Sequence, residues 1–128
     1  MADHCTRILV VDDAALVRLY YRRILEAAGY DVAEAINGVE AQEKLLENPA
    51  DLLIVDINMP QMDGLTFLST LRRGTLPRAA IPALVTSTES AAHDKEAARM
   101  AGANYYLVKP LSAEALVEHA AILSGRRI

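Results

Sequence analysis

Six residues of this sequence stand where chemistry could be done: Asp12, Asp13, Asp56, Asn58, Thr86 and Lys109. All but Asn58 lie where an apolar run stops. Ile8-Leu9-Val10-Val11 runs into Asp12-Asp13, and Leu52-Leu53-Ile54-Val55 runs into Asp56, with Asn58 two residues later. A third run ends at Thr86 and a fourth at Lys109. Carboxylates gathered in one crevice repel each other, and each ionised neighbour raises the cost of the next charge. A hard divalent cation relieves this, and a few oxygen ligands suit Mg²⁺, which keeps several waters. Lys109 is a compact cation able to pair with a carboxylate or a phosphate oxygen, and Thr86 offers a hydroxyl. Such a carboxylate is equipped to attack phosphorus and form an acyl phosphate. None of His4, His93 and His119 falls at a strand end, so no serine-histidine-acid set is suggested.

The elements that must position these residues alternate. Uninterrupted apolar runs before Asp12 and Asp56 predict strands buried on both faces. Helical periodicity is expected over 14–28, with Val17, Tyr20, Tyr21, Ile24, Leu25 and Ala28 on the apolar side and Gly29 as terminator. A short strand over 30–35 follows. Asn37 with Glu40 resembles a capping box for a helix that Asn48-Pro49 stops. After the third strand, Asp63 can cap a helix over 65–73, followed by a loop over 74–80. A fourth strand over 81–86, a helix ending near Ala101, a fifth strand over 104–108 and a helix from Ser112 to near Leu123 complete the pattern. Residues 125–128 form a tail. Five β-α repeats predict an α/β fold, a five-stranded parallel sheet with helices on both faces. Right-handed crossovers favour the doubly wound, flavodoxin-like order 2-1-3-4-5. That order makes strands one and three neighbours and brings Asp12, Asp13, Asp56, Thr86 and Lys109 to one edge.

Composition narrows the function classes. The 128 residues suit one domain, with a core expected over about 7–123 and no output domain. A net charge of -4 argues against a nucleic-acid binder. Cys5 is the only cysteine, which leaves no internal disulfide and no cysteine metal site. The first seven residues lack a signal core, and no apolar run approaches a membrane span. A soluble cytoplasmic protein is expected. Taken singly, each site residue has an ordinary reading: Asp12 or Asp13 as a helix cap, Thr86 as a β-branched strand residue, Lys109 as a surface lysine, Tyr106 as core. Met59, Met62 and Met100 read as packing. Jointly the ordinary readings fail, because four strand ends each carry a group that phosphoryl chemistry needs.

Taken together, Val10-Val11-Asp12-Asp13, Asp56 to Gly64 (DINMPQMDG), Val85-Thr86-Ser87 and Tyr106-Leu107-Val108-Lys109-Pro110 resemble a response-regulator receiver domain of the stand-alone CheY type. CheY is itself a standard example of the order 2-1-3-4-5. The resemblance implies that Asp56 is the phosphoacceptor. It implies that Asp12, Asp13 and Asp56 hold Mg²⁺ with the backbone carbonyl of Asn58, and that Lys109 contacts the phosphoryl group. It makes Thr86 the switch hydroxyl, Tyr106 the aromatic that turns inward behind it, and Lys109–Pro110 a cis peptide bond. The implied donor is a phosphohistidine on a sensor histidine kinase. The implied output surface is the fourth helix, fifth strand and fifth helix of a monomer, acting on a partner such as the flagellar switch in chemotaxis. Thr88 is neutral where some relatives carry an acid.

Two rivals stand beside this reading. A Mg²⁺-dependent phosphatase with an aspartyl nucleophile would want an acid two residues after Asp56, and Asn58 cannot serve as one. A receiver acting as phosphorelay shuttle, phosphate sink or cell-cycle regulator would share the site and differ only in partner.

Overall fold

The computed structural model describes residues 6–59, 62–88 and 92–125. Five strands, β1 (Arg7–Val11), β2 (Asp31–Ala35), β3 (Leu52–Asp56), β4 (Ala83–Ser87) and β5 (Tyr105–Val108), alternate with five helices. The helices are α1 (Ala15–Ala27), α2 (Gly38–Glu47), α3 (Gly64–Arg72), α4 (Ala92–Ala101) and α5 (Ala113–Ser124). All strand pairs are parallel and the order is β2-β1-β3-β4-β5, as expected.

Side chains alternate across a strand, and here the alternation builds two cores. Leu9, Val11, Leu53, Val55, Ala83 and Val85 face α2, α3 and α4, packing on Leu45, Phe67 and Ala98. Ile8, Val10, Leu52, Ile54 and Leu84 face α1 and α5, packing on Tyr21, Leu25, Leu116 and Ala120. A sheet covered on both faces explains why its central strands read as unbroken apolar runs.

The caps follow the sequence signals. Asn37 accepts from the Glu40 N–H at 2.8 Å, and Glu40 accepts from the Ile36 N–H at 2.9 Å. The return bond thus lands one residue before the usual capping-box position. Asp63 caps α3 through the Thr66 N–H, and Ser112 caps α5 through the Ala115 N–H. The first helix differs: its N-cap is Ala14, without a side-chain cap. The fourth strand is shifted from expectation, starting at Ala83 and extending to Ser87. Pro82 has no N–H to offer a ladder, and only its carbonyl joins, accepting from Leu53 N–H at 2.9 Å. The loop before it contains a single 3₁₀ turn, Arg78–Ala80. Lys109–Pro110 is cis, as the resemblance implied, and so is Leu76–Pro77. Pro60 and Gln61 of the DINMPQMDG motif, the polar link at Glu89 and Ser90, and tail residues 126–128 lie outside the described residues.

Candidate phosphoacceptor site

The strand order places the ends of β1 and β3 side by side, in register from Ile8 opposite Leu52 to Val11 opposite Val55. Asp12 continues β1, its N–H bonded to the Ala35 carbonyl at 3.0 Å. Asp56 is the last residue of β3. Gly64 lets the chain turn tightly after it: a Cβ there would run into the Asp56 carbonyl oxygen. Asp12, Asp13 and Asp56 each offer an oxygen, and these lie within 4.8 Å of one another. Asp12 and Asp56 are buried, whereas Asp13 faces solvent. Lys109 arrives from the end of β5, anchored by its own N–H on the Ser87 carbonyl at 2.7 Å. Its Nζ is 2.8 Å from Asp12 Oδ2 and 3.4 Å from Asp56 Oδ1, so the tighter pair is with Asp12.

Burial, and then the neighbouring Asp12, raise the Asp56 pKa above the ordinary carboxyl value; Lys109 and the Asn58 N–H pull the other way without cancelling the rise. Burial disfavours the Lys109 ammonium, but its hydrogen bond and attraction to Asp12, with help from Asp56, outweigh that and raise its pKa. Two buried carboxylates thus share a single ammonium, with Asp13 beside them, and the pocket keeps a surplus of negative charge. Oxygen donors at this spacing, one of them open to water, fit a hard cation such as Mg²⁺. Asn58 is exposed, and its backbone N–H is on the side that favours the Asp56 charge.

The expected switch residues, Thr86 and Tyr106, lie on the neighbouring strands β4 and β5. Thr86 is opposite Leu107 in the β4–β5 register, while Val85 is opposite Tyr106. Thr86 therefore points to the α1/α5 face, and Tyr106 packs against the core on the α2–α3–α4 face. The buried hydroxyl on the Tyr106 face of β4 is Ser87, the strand's last residue. The sequence TST offers three hydroxyls in a row, and only the register tells which one faces Tyr106.

Sequence reasoning also missed Tyr21. It reads as one apolar position of an amphipathic helix, yet it is a buried tyrosine whose pKa is pushed up by burial and then by the charges of Asp12 and Asp56. A buried tyrosine hydroxyl needs a partner, and that was the available signal. Arg18 is the other missed residue: Nη1 holds the Asp12 carbonyl at 2.8 Å while Nε pairs with Glu34 at 2.8 Å.

Residues 8–121 match the family model of the response regulator receiver domain. The transcriptional regulatory protein PrrA of Mycobacterium tuberculosis is 39% identical over 121 residues, 94% of this chain and 51% of PrrA. This chain thus spans about half the length of that relative. The chemotaxis protein CheY of Bacillus subtilis is 40% identical over 113 residues, 88% of this chain and 92% of CheY. Among solved structures, chemotaxis response regulator CheY4 of Vibrio cholerae superposes with a TM-score of 0.86 at 31% identity, covering 94% of this chain and 99% of that one.

Proposed function

The chain belongs to the response regulator receiver family of two-component signalling, and on that footing we propose that Asp56 accepts a phosphoryl group from a phosphohistidine of a sensor histidine kinase. The observation that carries this is one buried carboxylate held between a second buried carboxylate and a lysine at 3.4 Å. Burial and Asp12 destabilise the Asp56 charge, which favours sharing it with phosphorus. An Asp56 oxygen attacks in line as the phosphorus–nitrogen bond breaks, and the imidazole leaves with that electron pair and takes up a proton. Lys109 stays cationic and turns from Asp12 toward the transferred oxygens. Asp12, Asp13, Asp56 and the Asn58 carbonyl would hold Mg²⁺, which when bound neutralises charge on the phosphoryl oxygens.

Thr86, the register partner of Asp56 at the end of β4, is the hydroxyl we assign to the switch, with Tyr106 on the neighbouring strand as the aromatic that follows it. Their rearrangement would alter the surface of α4, β5 and α5, where Met100, Tyr105, Val108 and Ile122 are exposed apolar groups. The protein is a signalling module that modifies only itself. The likeness to two chemotaxis proteins favours a cytoplasmic, monomeric chemotaxis regulator acting on a flagellar switch protein. Capture with and without beryllofluoride separates readings: flagellar switch protein supports the motor role, and a histidine kinase alone supports a relay shuttle or phosphate sink.

The site is tested by incubating the protein with acetyl phosphate and Mg²⁺ and measuring intact mass. Wild type should gain one phosphoryl group and Asp56→Asn none; equal labelling of both refutes the assignment. Calorimetric titration of Asp13→Ala should show weakened Mg²⁺ binding.

A further inference from the structure

The peptide between Asp12 and Asp13 belongs to neither the sheet nor a helix. The β1–β3 ladder ends at Val11 opposite Val55, and α1 begins at Ala15. The carbonyl of buried Asp12 therefore has no ladder or helical N–H to accept. Its donor is Arg18, from the first turn of α1, whose Nη1 lies at 2.8 Å. The Nε of the same guanidinium is held by Glu34 Oε1 at 2.8 Å. Glu34 stands on β2 next to Ala35, whose carbonyl accepts the Asp12 N–H at 3.0 Å. Strand β2 thus grips Asp12 twice, once through its own backbone and once through the Arg18 fork.

The two carboxylates of this turn are held unequally. Asp12 Oδ1 accepts the Ala14 N–H at 2.9 Å, and Oδ2 pairs with Lys109 Nζ at 2.8 Å. Among the described residues no hydrogen bond or ion pair holds the exposed Asp13 carboxylate. Yet an oxygen of Asp13 lies within 4.8 Å of oxygens of Asp12 and Asp56. What aims it is its backbone. A peptide unit is planar, so a donor on the Asp12 carbonyl also orients the Asp13 N–H. Arg22 provides a comparison. Its Nε reaches the other Glu34 oxygen at 2.6 Å and its Nη1 reaches Glu26 at 3.0 Å, and among the described residues it makes no bond to the Asp12–Asp13 turn.

We propose that Arg18 is a positioning residue for the metal: by bridging Glu34 and the Asp12 carbonyl it fixes the peptide that aims Asp13, and so sets the affinity of the acidic site for Mg²⁺. A ligand that must be ordered as the ion arrives costs affinity, and groups that orient metal ligands change metal affinity about 10- to 100-fold when removed. The guanidinium suits the task because its arms are rigidly related, so holding one on Glu34 fixes the other on Asp12. Charge alone predicts the opposite sign. A guanidinium beside the carboxylates repels a divalent cation, so its loss would tighten Mg²⁺ binding if it acted only as a charge. The inference rests on the reading of Asp12 and Asp13 as metal ligands.

The test is calorimetric titration with Mg²⁺ of wild type, Arg18→Met, Arg18→Gln, Arg22→Met and Asp13→Ala, with circular dichroism establishing that each is folded. Arg18→Met keeps the apolar stem, and its Kd for Mg²⁺ should rise about tenfold, the lower end of the range for a group that orients a ligand. Arg18→Gln, whose side chain is too short to bridge both partners, should weaken binding in the same direction. Arg22→Met also removes a cation from Glu34 and should bind Mg²⁺ no more weakly than wild type. Labelling of Arg18→Met by acetyl phosphate should be slow at low Mg²⁺ and approach the wild-type rate as Mg²⁺ saturates. Unchanged or tighter Mg²⁺ binding by the Arg18 variants, equal weakening by Arg22→Met, or a labelling defect that Mg²⁺ does not relieve would overturn the proposal. Wild-type affinity of Asp13→Ala would instead mean that the metal site itself is misassigned.

Discussion

Two half-buried cations sit at opposite edges of the same sheet and are held in opposite ways. Lys109, at the carboxyl edge, is bonded to carboxylates, Asp12 at 2.8 Å and Asp56 at 3.4 Å. Arg72, at the end of α3, is bonded among the described residues to neutral oxygens alone: the carbonyls of Gly102, Ala79 and Ile81 and the side chain of Asn104, at 2.7 to 3.1 Å. Accordingly the Lys109 pKa is raised by its counter-charges, whereas burial lowers that of Arg72. The guanidinium fork is satisfied by fixed acceptors and stitches the starts of β4 and β5 to α3. The ammonium is a point charge with a choice of partners, which is what a lysine must keep if a phosphoryl group is to arrive. One edge is saturated and structural, and the other is charged and unfinished.

This contrast predicts a double dissociation. Lys109→Ala should slow labelling by acetyl phosphate by about 10²-fold or more, the usual cost of losing a charge-stabilising donor in a reacting site. Arg72→Ala should leave the labelling rate of the folded protein within twofold. It should instead lower unfolding free energy in urea by about 3 kcal/mol, because several buried carbonyls lose their donor together. If Arg72→Ala slowed labelling as much as Lys109→Ala, the division between the edges would collapse.

Gly102 sharpens the structural half. Its φ is 111°, and a Cβ there would strike the Arg72 side chain. Gly102→Ala should cost about 2 kcal/mol by urea titration, from positive φ and displaced guanidinium together. Combined with Arg72→Ala, part of that cost should vanish, since the clash has no partner.

The smallest effect concerns Glu34, the carboxylate that backs the active edge through Arg18. Burial works against its charge, but hydrogen bonds first from Arg22 and then from Arg18 outweigh burial and hold its pKa below the usual 4.5. A depressed folded pKa contributes stability above the unfolded value and loses it as pH falls through the folded value. Glu34→Gln should therefore lower stability by about 1 kcal/mol at pH 7 in thermal unfolding, as partly exposed ion pairs do. The deficit relative to wild type should close once the pH drops below 4.5.

Much of the carboxyl edge is legible in the chain. Asp12, Asp13, Asp56 and Lys109 each terminate an apolar run, and a buried parallel strand must surrender to polar residues where it leaves the core. Asn37, Asp63 and Ser112 announce three helix starts, because capping is local chemistry within four residues. The start of β4 is less legible, since Ile81 and Pro82 look like strand while Pro82 cannot donate to a ladder. Arg72 gives no sign of its role: a basic residue near a helix end reads as surface, and its acceptors come from residues up to 32 positions away.

By itself the sequence determined which residues end the strands, the alternation that makes the sheet parallel, and the family to which the chain is similar. These follow from hydrophobic periodicity and short-range turn and cap chemistry, which are written in neighbouring residues. Only the tertiary structure decided which way each strand-end side chain points. Among Thr86, Ser87 and Thr88, composition cannot choose, but parallel register puts Thr86 with Leu107 and Val85 with Tyr106. That phase sets Thr86 beside Asp56, its partner on β3, and Ser87 beside Val108 on β5. The reason is the two-residue period of a strand: a shift of one position carries a side chain from one core to the other.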